Sequence, residues 1–213
     1  MKKIEFVKPR DIEKKSFEII ERELCEMGIT LPREQDLITR RAIHTSADFE
    51  YARSLKYSKG AVAIALELLK NGADIVTDTN MGLAGINKKI LAKFGGEAHC
   101  FMADSEVARQ ARERGVTRAT VSMERAAQIE KPVIFAIGNA PTALISLYEM
   151  MEEKKYRPAF VIGVPVGFVN VEASKELFLE SDVPYIINKG RKGGSNIAAA
   201  ICNALLYMLS EER

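Results

Sequence analysis

Over the first seventy or so positions the apolar residues of this chain recur at helical spacing. Beyond them they gather into short continuous runs. Residues 9–27 carry Ile12, Phe17, Ile20 and Leu24 along one stripe, follow Pro9 and stop at Gly28, which predicts an amphipathic helix. Pro32 suits the first turn of a second helix that runs through Arg40 and His44. A third is expected over residues 59–71, with Val62, Ala63, Leu66 and Leu69 inward and Asn71-Gly72 as its stop.

From residue 74 the pattern changes. Asp74-Ile75-Val76-Thr77, Ala98-His99-Cys100-Phe101-Met102, Val133-Ile134-Phe135-Ala136-Ile137, Ala159-Phe160-Val161-Ile162-Gly163-Val164 and Pro184-Tyr185-Ile186-Ile187 read as strands. Helices are expected between and after them, over residues 85–94, 104–114, 117–130, 141–154, 171–181 and 195–209. Strands of unbroken apolar character that alternate with helices imply a parallel sheet covered on both faces, and right-handed crossovers make it doubly wound. The expected fold is α/β: a mostly parallel sheet of about five strands with helices on both faces and a helical N-terminal extension. No linker, repeat or low-complexity tract divides the chain. Residues 1–213 therefore read as one domain, with 1–58 the helical extension and 59–213 the α/β core.

Composition narrows the chemistry. The 31 basic and 29 acidic residues leave a net charge of +2, so bulk charge does not suggest nucleic acid and any anion site must be local. No apolar run is long enough for a membrane helix, and the N-terminus has no secretory signal pattern, so a cytoplasmic protein without a membrane partner is expected. Three separated cysteines and two histidines make a poor metal set, and no metal site is expected.

The densest chemistry lies in Arg40-Arg41-Ala42-Ile43-His44-Thr45-Ser46-Ala47-Asp48. On a helix Arg40 and Arg41 lie four and three residues from His44 and share its side. This joins a group that exchanges protons near neutral pH to planar cations suited to carboxylates. The same residues also read as a solvated basic helix end with an idle histidine.

In a doubly wound fold the ligand sits outside the carboxyl ends of the strands. The loops expected there begin with Thr77-Asp78-Thr79-Asn80-Met81, Gly138-Asn139-Ala140-Pro141-Thr142, Pro165-Val166-Gly167-Phe168-Val169 and Lys189-Gly190-Arg191-Lys192-Gly193-Gly194-Ser195. Each leads into a helix N-terminus, where unpaired N–H groups and a partial positive charge favour anions. Several such ends on one rim would cradle a ligand with many carboxylates. Taken singly, each also reads as an ordinary turn or cap. Asp48 and Asp78 either orient a base or hold a loop. His99 reads as a core or face histidine. Walker, dinucleotide-binding and nucleophile-elbow patterns are absent.

Taken together, His44-Thr45-Ser46-Ala47-Asp48-Phe49, Asp78-Thr79-Asn80-Met81, Gly138-Asn139-Ala140-Pro141-Thr142-Ala143-Leu144, Pro165-Val166-Gly167-Phe168-Val169 and Gly190-Arg191-Lys192-Gly193-Gly194-Ser195 resemble the precorrin-8X methylmutases, in the same order and over nearly the whole chain. The cobalt-precorrin-8 branch is the nearer likeness. The resemblance implies an isomerase of cobalamin biosynthesis that moves a methyl group from C11 to C12 of a corrinoid substrate, converting precorrin-8 or its cobalt form to hydrogenobyrinate or cobyrinate. It implies no cofactor, and a homodimer with its sites near the interface. It makes His44 the general acid. The substrate-binding residues would be Ser16, Arg40, Arg41, Thr45, Asp78, Thr79, Asn80, Met81, Arg118, Asn139, Thr142, Gly167, Phe168, Arg191, Lys192, Gly193, Gly194 and Ser195. Met81, Leu83, Val166 and Phe168 would supply an apolar floor for the ring. Substrate carboxylates, by offsetting Arg40 and Arg41, would favour the protonated imidazole. Two other readings of the same fold are a corrinoid carrier without turnover and a nucleotide- or phosphate-binding protein.

Overall fold

The computed structural model describes Phe6 and residues 8–210, apart from the side chain of Arg10. Six strands form one sheet: β1 (Leu55–Tyr57), β2 (Asp74–Thr77), β3 (Ala98–His99), β4 (Val133–Ile137), β5 (Phe160–Gly163) and β6 (Tyr185–Asn188), in the spatial order β1-β6-β5-β4-β2-β3. The five strands from β2 to β6 are parallel, and β1 alone pairs antiparallel, with β6. The expected α/β sheet is thus present, with one further short strand at its edge.

The helices are α1 (Ile12–Glu26), α2 (Asp36–Ser46), α3 (Tyr51–Ser54), α4 (Ala61–Lys70), α5 (Asn80–Gly85), α6 (Lys88–Lys93), α7 (Ser105–Arg114), α8 (Arg118–Ala126), α9 (Pro141–Glu152), α10 (Val171–Leu179) and α11 (Ser195–Leu209). Pro9 opens a 3-10 turn rather than the first turn of α1. The buried stripe of α4 is Ala61, Val62, Ala65 and Leu69, while Ala63 faces solvent. It differs from the expected stripe by one residue step, because small alanines blur the apolar phase. Ile12 is exposed.

Alternation along the strands divides the core in two. Ile75, Ile134, Ala136, Phe160, Ile162 and Ile186 point to the face covered by α2, α4 and α11. Val76, Val133, Phe135, Ile137, Val161 and Ile187 point to the other, where Leu144 and Leu147 of α9 and Phe178 of α10 pack. Side chains of successive strand residues leave on opposite faces, so a strand buried on both must be apolar throughout. That is why these segments read as unbroken runs.

The chain steps from β2 outward to β3, then crosses back to place β4 on the other side of β2. This reversal opens a switch point between the carboxyl ends of β2 and β4, where such folds take their ligands. Among the described residues no helix is long and apolar enough to cross a membrane.

Candidate active site

The switch point is filled by the protein itself. Asp78, which follows β2, is 1% exposed. Its carboxylate accepts the N–H groups of Gly138 at 2.8 Å, Asn139 at 2.8 Å and Ala140 at 2.5 Å. Burial pushes the Asp78 carboxyl up from its ordinary range, against the pull of those donors. Behind it the first turn of α11 comes so close that a Cβ on Gly138 would lie 2.6 Å from Ser195 Cα. Thr79 caps α5 by accepting Gly82 N–H at 3.0 Å, and its hydroxyl meets Ser195 Oγ at 2.7 Å. Asp78 therefore holds a loop, and its contribution to any ligand runs through the shape of residues 138–140.

Around this sealed centre the foreseen residues form a rim. Asn80 and Asn139 are exposed, and Met81 is 70% and Phe168 83% exposed. Val166 and Val169 are exposed beside Phe168, whereas Leu83 is half-buried. Thr142 hydrogen-bonds Thr117 through their hydroxyls at 3.2 Å, which brings the start of α8, and Arg118 with it, to the start of α9. The helices α9, α10 and α11 begin without a side-chain cap, so their first-turn N–H groups are not taken by capping side chains. Gly193 is shaped by a close approach: a Cβ there would meet the Val164 carbonyl oxygen at 2.0 Å. Gly167 N–H donates to the Arg191 carbonyl at 3.2 Å, joining the loops after β5 and β6.

The histidine motif lies on the flank of this rim. The chain turns sharply after α2 at Ala47, which has φ 54°. His44, on the last turn of α2, is exposed and stacks on Phe17 of α1, with ring centroids 5.5 Å apart and 22° between planes. Arg40 and Arg41 lie over the same Phe17 ring at 5.9 Å and 5.4 Å, and Arg41 also lies 4.6 Å over Tyr207 of α11. Thr45 is exposed. Ser16 donates to its own helix, at the Ile12 carbonyl. Phe17, Arg40 and Arg41 line a cleft of about 820 Å³ between α1, α2, α6 and α11.

The charges are not as the sequence suggested. Arg41 pairs with Glu13 at 2.6 Å, and Arg40 pairs with Asp36 and, at 3.5 Å, with Glu21. Arg191 pairs with Glu172 at 3.0 Å. Lys192 reaches both Asp48 and Glu50 at 2.6 Å, and this contact ties the histidine motif to the loop after β6. The Lys192 hydrogen bond holds the Asp48 carboxyl below its ordinary range. The expectation that Arg40 and Arg41 stand uncompensated until substrate arrives is therefore corrected: acids on α1 and α2 already offset them. Among the described residues Arg118 has no carboxylate partner, and its Nη1 reaches the Met102 carbonyl at 3.5 Å. It sits at the first position of α8, where the helix dipole disfavours a cation.

Sequence reasoning passed over Lys175 and over the pairing of Glu13 and Asp36 with the arginines. Glu13 and Arg41 are far apart in the chain, and nothing in either segment announces their pairing. Lys175 did leave a signal, being a lysine on the buried stripe Val171, Ser174, Lys175 and Phe178 of α10. His99 ends the edge strand β3, in register with Val76 of β2, and its Nε2 lies 3.2 Å from Asp74.

Comparison with known proteins bears on this arrangement. The sequence profile of the family described as precorrin-8X methylmutase matches residues 11–208. A cobalt-precorrin-8 methylmutase of Priestia megaterium is 43% identical, over 93% of this chain and 88% of the relative. A protein of the same name from Salmonella typhimurium is 43% identical, over 95% of this chain and 97% of its own length. The solved precorrin-8x methyl mutase of Thermus thermophilus superposes with a TM-score of 0.83 at 36% identity, covering 93% of this chain and 97% of that one.

Proposed function

The chain belongs to the precorrin-8X methylmutase family, and from that premise we propose a reaction and a proton donor. The protein is an isomerase, an intramolecular methyl transferase of cobalamin biosynthesis. Its methyl group leaves C11 and bonds to C12 of the same macrocycle, so atoms balance without a second substrate. His44 is the general acid: protonating the macrocycle draws electron density from the conjugated ring and eases the migration, after which the proton returns to His44 and the product is an isomer of the substrate. One observation carries this role. His44 is exposed on the flank of the rim yet held by a ring stack on Phe17, so it is both reachable and oriented.

The substrate's carboxylate arms find cations in two states. Among the described residues Arg118 has no acid to leave, and it sits at a helix start, which favours an anion beside it. Arg40, Arg41 and Arg191 engage an arm by exchanging it for Asp36 or Glu21, Glu13 and Glu172. The exposed Met81, Val166 and Phe168 suit the apolar ring. The working form is a cytoplasmic homodimer with its sites near the interface. No nucleic acid or membrane takes part.

The test is an anaerobic absorbance time course with cobalt-precorrin-8 or its metal-free analogue. The expected result is conversion to the cobyrinate or hydrogenobyrinate spectrum, slowed by about 10²–10⁴-fold in His44→Ala. Product-like binding spectra without conversion of either substrate would instead make the protein a carrier.

A further inference from the structure

Lys175 is 1% exposed, on the buried face of α10. An ammonium group sealed from water is costly unless it is well partnered. Burial pulls the Lys175 pKa down to about 8, against the field of Glu172. The partners are two carbonyls of the loop after β6: Nζ donates to Gly190 O at 2.6 Å and to Lys192 O at 2.9 Å. Asn188 Nδ2 donates to the same Lys192 carbonyl at 2.8 Å, and Gly167 N–H to that of Arg191 at 3.2 Å. Three successive carbonyls are thus engaged by donors of the protein. The side chains of Arg191 and Lys192 lie exposed. One turn before Lys175, Glu172 takes Arg191 Nε at 3.0 Å, so α10 holds this loop by its backbone and by a side chain.

We propose that Lys175 is a positioning residue for substrate binding, whose buried ammonium holds residues 189–194 in the shape that offers Arg191, Lys192 and the uncapped first turn of α11 to a carboxylated ligand. The inference rests on the reading that this loop meets the substrate. A purely packing role would be served as well by an apolar side chain. Replacing buried charged groups by apolar ones of like volume is often neutral or stabilising. Asn188 would still satisfy the Lys192 carbonyl.

Lys175→Met separates the two roles, because it keeps the stem and removes the donors. Melting temperature, kcat and KM are measured, together with the Kd for hydrogenobyrinic acid by absorbance titration. The expected variant melts within a few degrees of the parent and keeps kcat within about twofold, while KM and Kd rise about tenfold, as loss of a charge-assisted hydrogen bond predicts. Lys175→Gln, which retains a neutral donor, should recover part of the affinity. Unchanged KM and Kd in a folded Lys175→Met would overturn the inference. Should that variant fail to fold, parent-like affinity in Lys175→Gln would overturn it. Failure of both to fold would assign Lys175 to the core alone and overturn it too. A parent that binds product without turnover would sink the isomerase reading, and Kd would still decide the role of Lys175.

Discussion

The carboxyl ends of β2 and β4 and the flank formed by α1 and α2 are built on opposite lines. At the strand ends Asp78 is sealed, its oxygens fixed by three backbone N–H groups, and Gly138 touches Ser195 so closely that no Cβ fits. On the flank His44 is exposed and held by ring stacking, among arginines whose partners, such as Glu13 and Glu21, are themselves solvent-facing. A fold of this kind ordinarily takes its ligand at the switch point. Here that position is packed with protein, and the group fit for proton transfer lies beside it. The packed centre fixes where the surrounding helix N-termini stand, and in the proposed reaction the flank and rim would meet the ligand.

That contrast can be broken by substitution. The largest effect is expected from His44→Ala, with kcat falling by about 10²–10⁴-fold while urea unfolding and product affinity stay at parent values. Loss of stability in step with activity would mean that His44 belongs to the framework. Asp78→Ala should do the reverse. Three N–H groups lose their acceptor in a buried place, which costs on the order of 3 kcal/mol or more in unfolding free energy. Parent-like denaturation curves would show that the switch point is not sealed as described.

A pH series tests the buried Lys175. The Lys175 pKa is about 8 in the folded protein against 10.5 in a free chain. Between these values the unfolded chain holds a proton that the folded one has released, so stability rises with pH in that window and is flat below it. Compared with Lys175→Met, the parent should gain stability from pH 8 to 10.5, by at most on the order of 3 kcal/mol. A flat difference across the window would show that the lysine is solvated. The smallest effect is expected at the rim: Arg118→Leu should weaken product binding about tenfold, while stability stays level or rises by a few tenths of a kcal/mol as a cation leaves a helix start. Unchanged Kd would remove Arg118 from the substrate's contacts.

Much of the frame could be read from the chain because parallel strands buried on both faces are apolar without interruption, as in Val133–Ile137. The departures occur where that signal is short. Leu55, Lys56 and Tyr57 make only three residues of strand and join the sheet through backbone pairing with β6, which leaves no apolar run. The expected strand at residues 98–102 shrinks to Ala98–His99, because β2 offers it a partner for only two residues. The loop expected before residue 85 is instead helix α5, capped by Thr79, and Asn87 caps a separate α6. His44 and the rim residues fall on loops and helix ends, where the sequence pattern put them. Glu13 was hidden, since its pair with Arg41 joins segments that only folding brings together, whereas Asp36 stands one helical turn before Arg40 and could have been read from the spacing.

The sheet also constrains how two copies can meet. Its outer strands are β1, with three residues, and β3, with two. Edges so short give a neighbour almost no backbone ladder to extend. Short edges therefore disfavour self-assembly by adding strand to strand, and the proposed dimer would form through side chains. Among these Met81, Phe168 and Val169 are the large apolar groups that stand out from the rim.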